Sequence, residues 1–171
     1  AKTALVSVMY ANNETGTIFP IEQITTMAHA VGALMHSDCV QMFGKSKVDF
    51  KSLNIDYGTF SAHKFYALKE TGFTYVKKAS PWVPLIHGGG QERSRRGGTE
   101  NILGIASLGI ALDGFVNLEE KLIHIGALRD RLENKILELI PEVSITAHEN
   151  LRLCNTSSLI VKNVDGETLL M

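Results

Sequence analysis

The chain has 171 residues, 44% hydrophobic and 20% charged, with a formal net charge of -1. That is enough for one ordinary domain with a real core, and it excludes a disordered tail. The near-neutral balance gives no reason to expect nucleic acid or an anionic membrane as a direct partner. The longest apolar run, Ile102–Leu112, is broken by Gly104, Ser107 and Gly109, so no segment is expected to span a bilayer. Ala1-Lys2-Thr3-Ala4-Leu5-Val6 runs straight into a strand-like pattern without a signal-peptide layout. Two cysteines far apart, Cys39 and Cys154, argue against a disulfide framework and make a cytoplasmic setting the expectation.

In chain order, Ala4–Met9 reads as a buried strand ended by the polar turn Asn12-Asn13-Glu14-Thr15-Gly16. Pro20 opens a helix on which Ile21, Ile24, Met27, Ala28 and Val31 recur at helical spacing, and Gly32 stops it. Ala33–His36 is a second strand, delivering Asp38. Asp56–Phe60 is a third, delivering Ser61, His63 and Lys64, and Gly72–Lys77 is a fourth. A loop rich in Gly and Arg covers His87–Thr99, followed by a small-residue helix at Asn101–Asp113. The long helix Leu118–Ile140 carries Leu118, Leu122, Ile125, Leu128, Leu132, Ile136 and Leu139 along one face, and Pro141 ends it. Val143–Thr146 and Ser157–Val161 read as strands of a second small unit.

This order predicts an α/β fold whose sheet is largely parallel, with helices on its faces. Ligands of such sheets bind beyond the carboxyl ends of the strands. Asn13, Asp38 and the Ser61–Lys64 group all follow a predicted strand, so three segments deliver polar groups to one crevice. An Asp and a Lys placed this way are the two groups that pyridoxal phosphate chemistry needs. The amine forms a Schiff base with the aldehyde, and the carboxylate keeps the pyridine nitrogen protonated. Taken singly each residue has a plainer account: Asp38 a cap or turn, Asn13 turn chemistry, His63 a structural histidine. Arg93, Arg95 and Arg96 make only a small basic patch, and Gly88-Gly89-Gly90 fits neither a Rossmann nor a Walker fingerprint. No metal site is expected.

Five ordered blocks carry a more specific signal: Ala11-Asn12-Asn13-Glu14-Thr15-Gly16, His36-Ser37-Asp38-Cys39-Val40-Gln41, Ser61-Ala62-His63-Lys64-Phe65-Tyr66, His87-Gly88-Gly89-Gly90-Gln91-Glu92-Arg93 and Arg96-Gly97-Gly98-Thr99-Glu100-Asn101. Together with Asn163-Val164-Asp165-Gly166-Glu167 they resemble the NifS/IscS-type cysteine desulfurases, class V aminotransferases of PLP fold type I. The resemblance implies that Lys64 carries the cofactor and moves a proton at the substrate α-carbon, in a desolvated setting. It places Asp38 on the pyridinium, Gln41 and Asn13 near the phenolic oxygen, and Ser61 and His63 on the phosphate. Thr99 would reach the phosphate of a partner subunit, making the protein a homodimer. The implied activity converts L-cysteine to L-alanine and passes the sulfur on as persulfide to an acceptor or scaffold protein, for iron–sulfur cluster assembly or thiolation. Residues 1–115 would be the second half of the large domain, and 116–171 the linking helix and the start of a small α/β domain.

Departures from the family pattern are as informative. The lysine motif there continues Gly-Pro-Lys-Gly, whereas this chain has Ala67-Leu68-Lys69-Glu70, which changes the backbone freedom of that loop. Cys154 stands where the family has Pro and Cys39 where it has a small residue; neither is at the nucleophile position, and both are expected to be inert. The family's phosphate cup and ring-stacking residue lie upstream of the Asn12-Asn13 turn. Its nucleophilic Cys and carboxylate-gripping Arg lie downstream of Asp165-Gly166-Glu167. The chain is therefore expected to be an internal piece of such an enzyme, with exposed apolar faces. A selenocysteine lyase, which shares these motifs, and a non-catalytic truncated paralogue acting as an interaction module are the alternatives.

Overall fold

The computed structural model describes residues 2–147, 149 and 151–170, so Ala1, His148, Asn150 and Met171 lie outside the described residues. Four strands form one sheet in the order β1 (Leu5–Met9), β2 (Leu34–Asp38), β3 (Tyr57–Ser61) and β4 (Gly72–Val76). β1, β2 and β3 are parallel, with Met9 opposite Asp38 and Asp38 opposite Thr59. β4 runs antiparallel to β3, so the sheet is mixed rather than parallel throughout. The connection explains it: residues 62–71 are too few for the crossover that a parallel return requires, which takes a dozen residues or more.

Helix α1 (Ile21–Ala30) turns Ile21, Thr25 and Ala28 into the core, while Met27 and Val31, placed on the apolar face by spacing alone, are exposed. Its Pro20 occupies the N-cap instead of the first helical turn. The core collects Met35, Cys39, Met42, Ile55 and Leu153, each at most 1% exposed, with Phe60 beside them. The sequence predicts a buried strand at β1, but Leu5 and Met9 are exposed while Val6 and Val8 between them are half-buried, so only one face of the strand is covered among the described residues. A short helix α2 (Phe50–Leu53), capped by the Asp49 carboxylate accepting from Lys51 N–H, lies in a segment to which the sequence pattern assigns no element. So does α3 (Gln91–Ser94), where Glu92, Arg93 and Ser94 all take left-handed φ.

Helices α4 (Ile102–Asp113) and α5 (Leu118–Leu139) follow, then the hairpin β5 (Val143–Ile145) and β6 (Leu159–Val161), and α6 (Gly166–Leu170). α4 is capped by the Asn101 side chain, which accepts from Gly104 N–H at 3.0 Å. α5 buries the face its spacing predicts only in part: Leu118, Leu122 and Ile136 are half-buried, whereas Ile125, Leu128, Leu132 and Leu139 are exposed. Its packed side carries Glu133, whose two carboxylate oxygens each accept from Arg152 at 2.9 Å. Arg129 donates to the Leu153 carbonyl at 2.8 Å. These polar contacts set the helix's rotation. Arg152 in turn bridges Thr17, with Ile18 N–H on the Leu151 carbonyl and Leu153 N–H on that of Gly16, tying α5 to the turn after β1. No single described helix is long and apolar enough to cross a membrane.

Candidate functional site

The carboxyl ends of β1, β2 and β3 lie along one edge of the sheet, and six of the seven residues singled out by sequence follow from that edge. After β1, the Asn12 carboxamide accepts from the N–H groups of Glu14 and Thr15, both at 2.9 Å. Gly16 closes this turn at φ 75°, where an added Cβ would stand 2.7 Å from Thr156. Asn12 thus does the turn chemistry, and the Asn13 side chain is left exposed.

Asp38 ends β2 with one oxygen accepting from Val40 N–H at 2.9 Å. Two residues earlier on the same face is His36, a member of this site that the spacing did not single out. Its ring meets Ser7 Oγ at 2.7 Å and Thr59 Oγ1 at 3.2 Å. Burial lowers the His36 pKa below its ordinary value, and the Asp38 charge acts against that shift. The alternation His36/Asp38 and Thr59/Ser61, with Ser7 across from His36, is the two-residue period that would have revealed this polar face.

Beyond β3 the chain makes a single 3₁₀ turn, Ala62–Phe65. At three residues per turn, Ala62 and Phe65 share a face, and both are buried. Phe65 packs edge-on against Phe43 at 5.0 Å, within a cluster that includes Phe60, Phe73 and Phe115. His63 and Lys64 are thereby directed outward and are exposed, Lys64 contrary to the expected desolvation. The Ser61 hydroxyl and His63 Nδ1 are 2.9 Å apart.

Lys64 borders a cavity of about 300 Å³ with a floor of Phe43, Phe65 and Phe115 and with Lys45, Lys121 and Cys154 in its wall. Asp38, Ser61 and His63 do not line it. Thr99 lies elsewhere, in a cleft with Glu70, Thr71, Arg96 and Asn101. Chemically, the sheet edge offers an amine, a carboxylate, two carboxamides, a hydroxyl and an imidazole. That set matches an aldehyde, a ring nitrogen, a phenolic oxygen and a phosphate. Cys39 is wholly buried, and burial pushes its thiol up to about 11. Burial also raises the Cys154 thiol, and both cysteines are free.

A family model for aminotransferase class-V matches residues 1–171. The chain belongs to the class V aminotransferases. Within that family it is 46% identical over 169 residues to a cysteine desulfurase of Sinorhizobium fredii, covering 98% of this chain and 44% of that protein. A solved NifS-like protein superposes with a TM-score of 0.90 at 42% identity, over 98% of this chain and 46% of that one. A structure described as SspA in complex with cysteine gives 0.78 at 35% identity, over 94% and 44%. The chain thus spans less than half the length of these class V relatives. Where the family's lysine motif has Gly-Pro-Lys-Gly, Ala67 keeps an ordinary negative φ, but Glu70 takes φ 60°, a conformation suited to glycine.

Proposed function

We propose that the protein forms the cofactor-anchoring part of a PLP-dependent cysteine desulfurase. Its site would act on L-cysteine to give L-alanine, with the sulfur leaving as a persulfide on an acceptor thiol. The observation that supports this is that Asn13, Asp38, Gln41, Ser61, His63 and Lys64 each lie at or shortly after the carboxyl end of one of three parallel strands, in a chain similar to desulfurases. Pyridoxal phosphate, when bound, supplies an electron sink for the α-carbon. Lys64 would hold it covalently and move the α-proton, from a turn that Phe65 anchors in the core. Asp38, with one oxygen left by the Val40 contact, would pair the ring nitrogen; Gln41 and Asn13 would face the phenolic oxygen. The Ser61–His63 pair would bind the phosphate, joined by Thr99 of a second copy in a homodimer. Cys39 is too buried and too weakly acidic to accept sulfur, so the acceptor thiolate must be another.

The two-domain reading, with 1–115 as part of a large cofactor domain and 116–171 as linking helix and start of a small one, belongs to the same proposal. So does a cytoplasmic setting with a sulfur-acceptor or scaffold partner. The test is to add pyridoxal phosphate and record the visible band of the lysine-bound cofactor before and after Lys64→Ala. A band present in the wild type and absent in the variant is the expected outcome. Identical spectra would sink the cofactor assignment.

A further inference from the structure

Gln41 and Lys45 are joined by a contact that the cofactor reading does not itself require. After β2 the chain turns tightly: the Met42 and Phe43 N–H groups both point to the Cys39 carbonyl, and Lys45 N–H donates to that of Met42. Gly44 makes the reversal at φ 74°, and a Cβ there would stand 2.5 Å from the Phe115 ring, so glycine is needed twice over. The turn brings Lys45 Nζ to 3.1 Å from Gln41 Oε1. An ammonium donates and cannot accept. The contact therefore decides which end of the carboxamide faces Lys45: the oxygen points to it, and the NH₂ points away.

We infer that Lys45 is a positioning residue, holding Gln41 so that the site receives only N–H donors from it. The ligand group this selects is an anionic oxygen. Resting on the cofactor reading above, that oxygen is the ionised phenolic oxygen of pyridoxal phosphate, favoured over its protonated form. Without Lys45 the amide offers either end, and the preference is lost. The other ionisable groups facing Lys45 across the cavity are Lys64, Lys121 and Cys154, and Lys121 is already taken by the Gly114 carbonyl at 2.7 Å. The described cavity lining holds no carboxylate to compete for Lys45. Burial, and then the Lys64 charge, hold the Lys45 amine below its usual range, which brings its own titration within reach.

The experiment compares the wild-type chain with Lys45→Met and Lys45→Arg by two readouts. The first is the side-chain NH₂ resonance pair of Gln41 in the cofactor-free chain, assigned by its loss in Gln41→Glu. The second is the pH midpoint of the visible band after adding pyridoxal phosphate. Lys45→Met should move the Gln41 pair and raise the midpoint by about one unit, a tenfold weaker ionisation. Lys45→Arg, which still donates, should keep both near wild type. A Gln41 pair unmoved in folded Lys45→Met overturns the inference whatever the cofactor does. If that variant does not fold, titrating the wild type upward serves instead: the Gln41 pair must move as Lys45 loses its proton, and a pair that stays still overturns the inference equally. Failure of the cofactor reading shows separately, as identical wild-type and Lys64→Ala spectra.

Discussion

Lys64 owes its outward direction to its neighbours. A tight three-residue turn, with Ala62 and Phe65 buried on one side, leaves His63 and Lys64 only the other. The turn ends at Tyr66, left-handed at φ 74° and 97% exposed, so a bulky residue bears backbone strain there without packing in return. Glu70 repeats the strain at φ 60° a few residues later. A left-handed residue other than glycine costs roughly 1 kcal/mol. Glu70→Gly should therefore raise the denaturant midpoint by an amount equivalent to about 1 kcal/mol, partly offset by the greater freedom of the unfolded chain. A lower midpoint in urea titration would show that the Glu70 side chain contributes more than its backbone costs.

Among the elements, α5 shows how one ion pair can override a hydrophobic stripe. Glu133 and Arg152, with side chains 4% and 6% exposed, make a bidentate pair. The Arg152 contact, foremost, outweighs burial and holds the Glu133 carboxyl below its usual range. Removing one partner strands a buried charge, which costs about 3–5 kcal/mol. Glu133→Ala should lower the unfolding free energy by that order, whereas Glu133→Leu combined with Arg152→Met should recover most of it. Chemical denaturation of the single and double variants checks this, and equal losses in both would disprove the ionic explanation. Leu128, Leu132 and Leu139 of the helix face outward; Ile102, Leu103 and Ile110 of α4 are exposed as well.

At the scale of the whole molecule, Asp56 fastens the layers. Its carboxylate accepts from Met35 N–H of β2 at 2.8 Å and from the Ser80 hydroxyl beyond β4 at 3.1 Å, and it meets His29 Nε2 of α1 at 2.8 Å. Burial alone would raise its pKa, but the hydrogen bonds together outweigh burial and depress it. A depressed folded pKa means stability that is full above the unfolded value of about 3.9 and is lost as pH falls through the folded value. The wild type should thus melt above Asp56→Asn at neutral pH, with the gap closing below about pH 4. A gap that widens on acidification would show that the carboxylate is not the source.

Much of this was written in the residue order. The alternation of strands and helices, the Asp38 and Lys64 positions after strands, and the capping residues are local features, set by side-chain period and turn chemistry, and they placed β1–β6, α1, α4 and α5. The short-range signals missed α2, α3 and α6 because helices of four or five residues have no period to read. Tertiary structure alone decided the rest. The direction of β4 depends on loop length against sheet geometry. The buried side of α5 depends on Arg152, nineteen residues from its partner Glu133. The contact between Lys45 Nζ and Gln41 Oε1 depends on a turn that Gly44 allows, at φ 74° and close against the Phe115 ring from a distant helix connection. Periodicity reports which residues are apolar. Which of them face one another is settled by contacts between distant segments, where a buried charge outweighs a leucine.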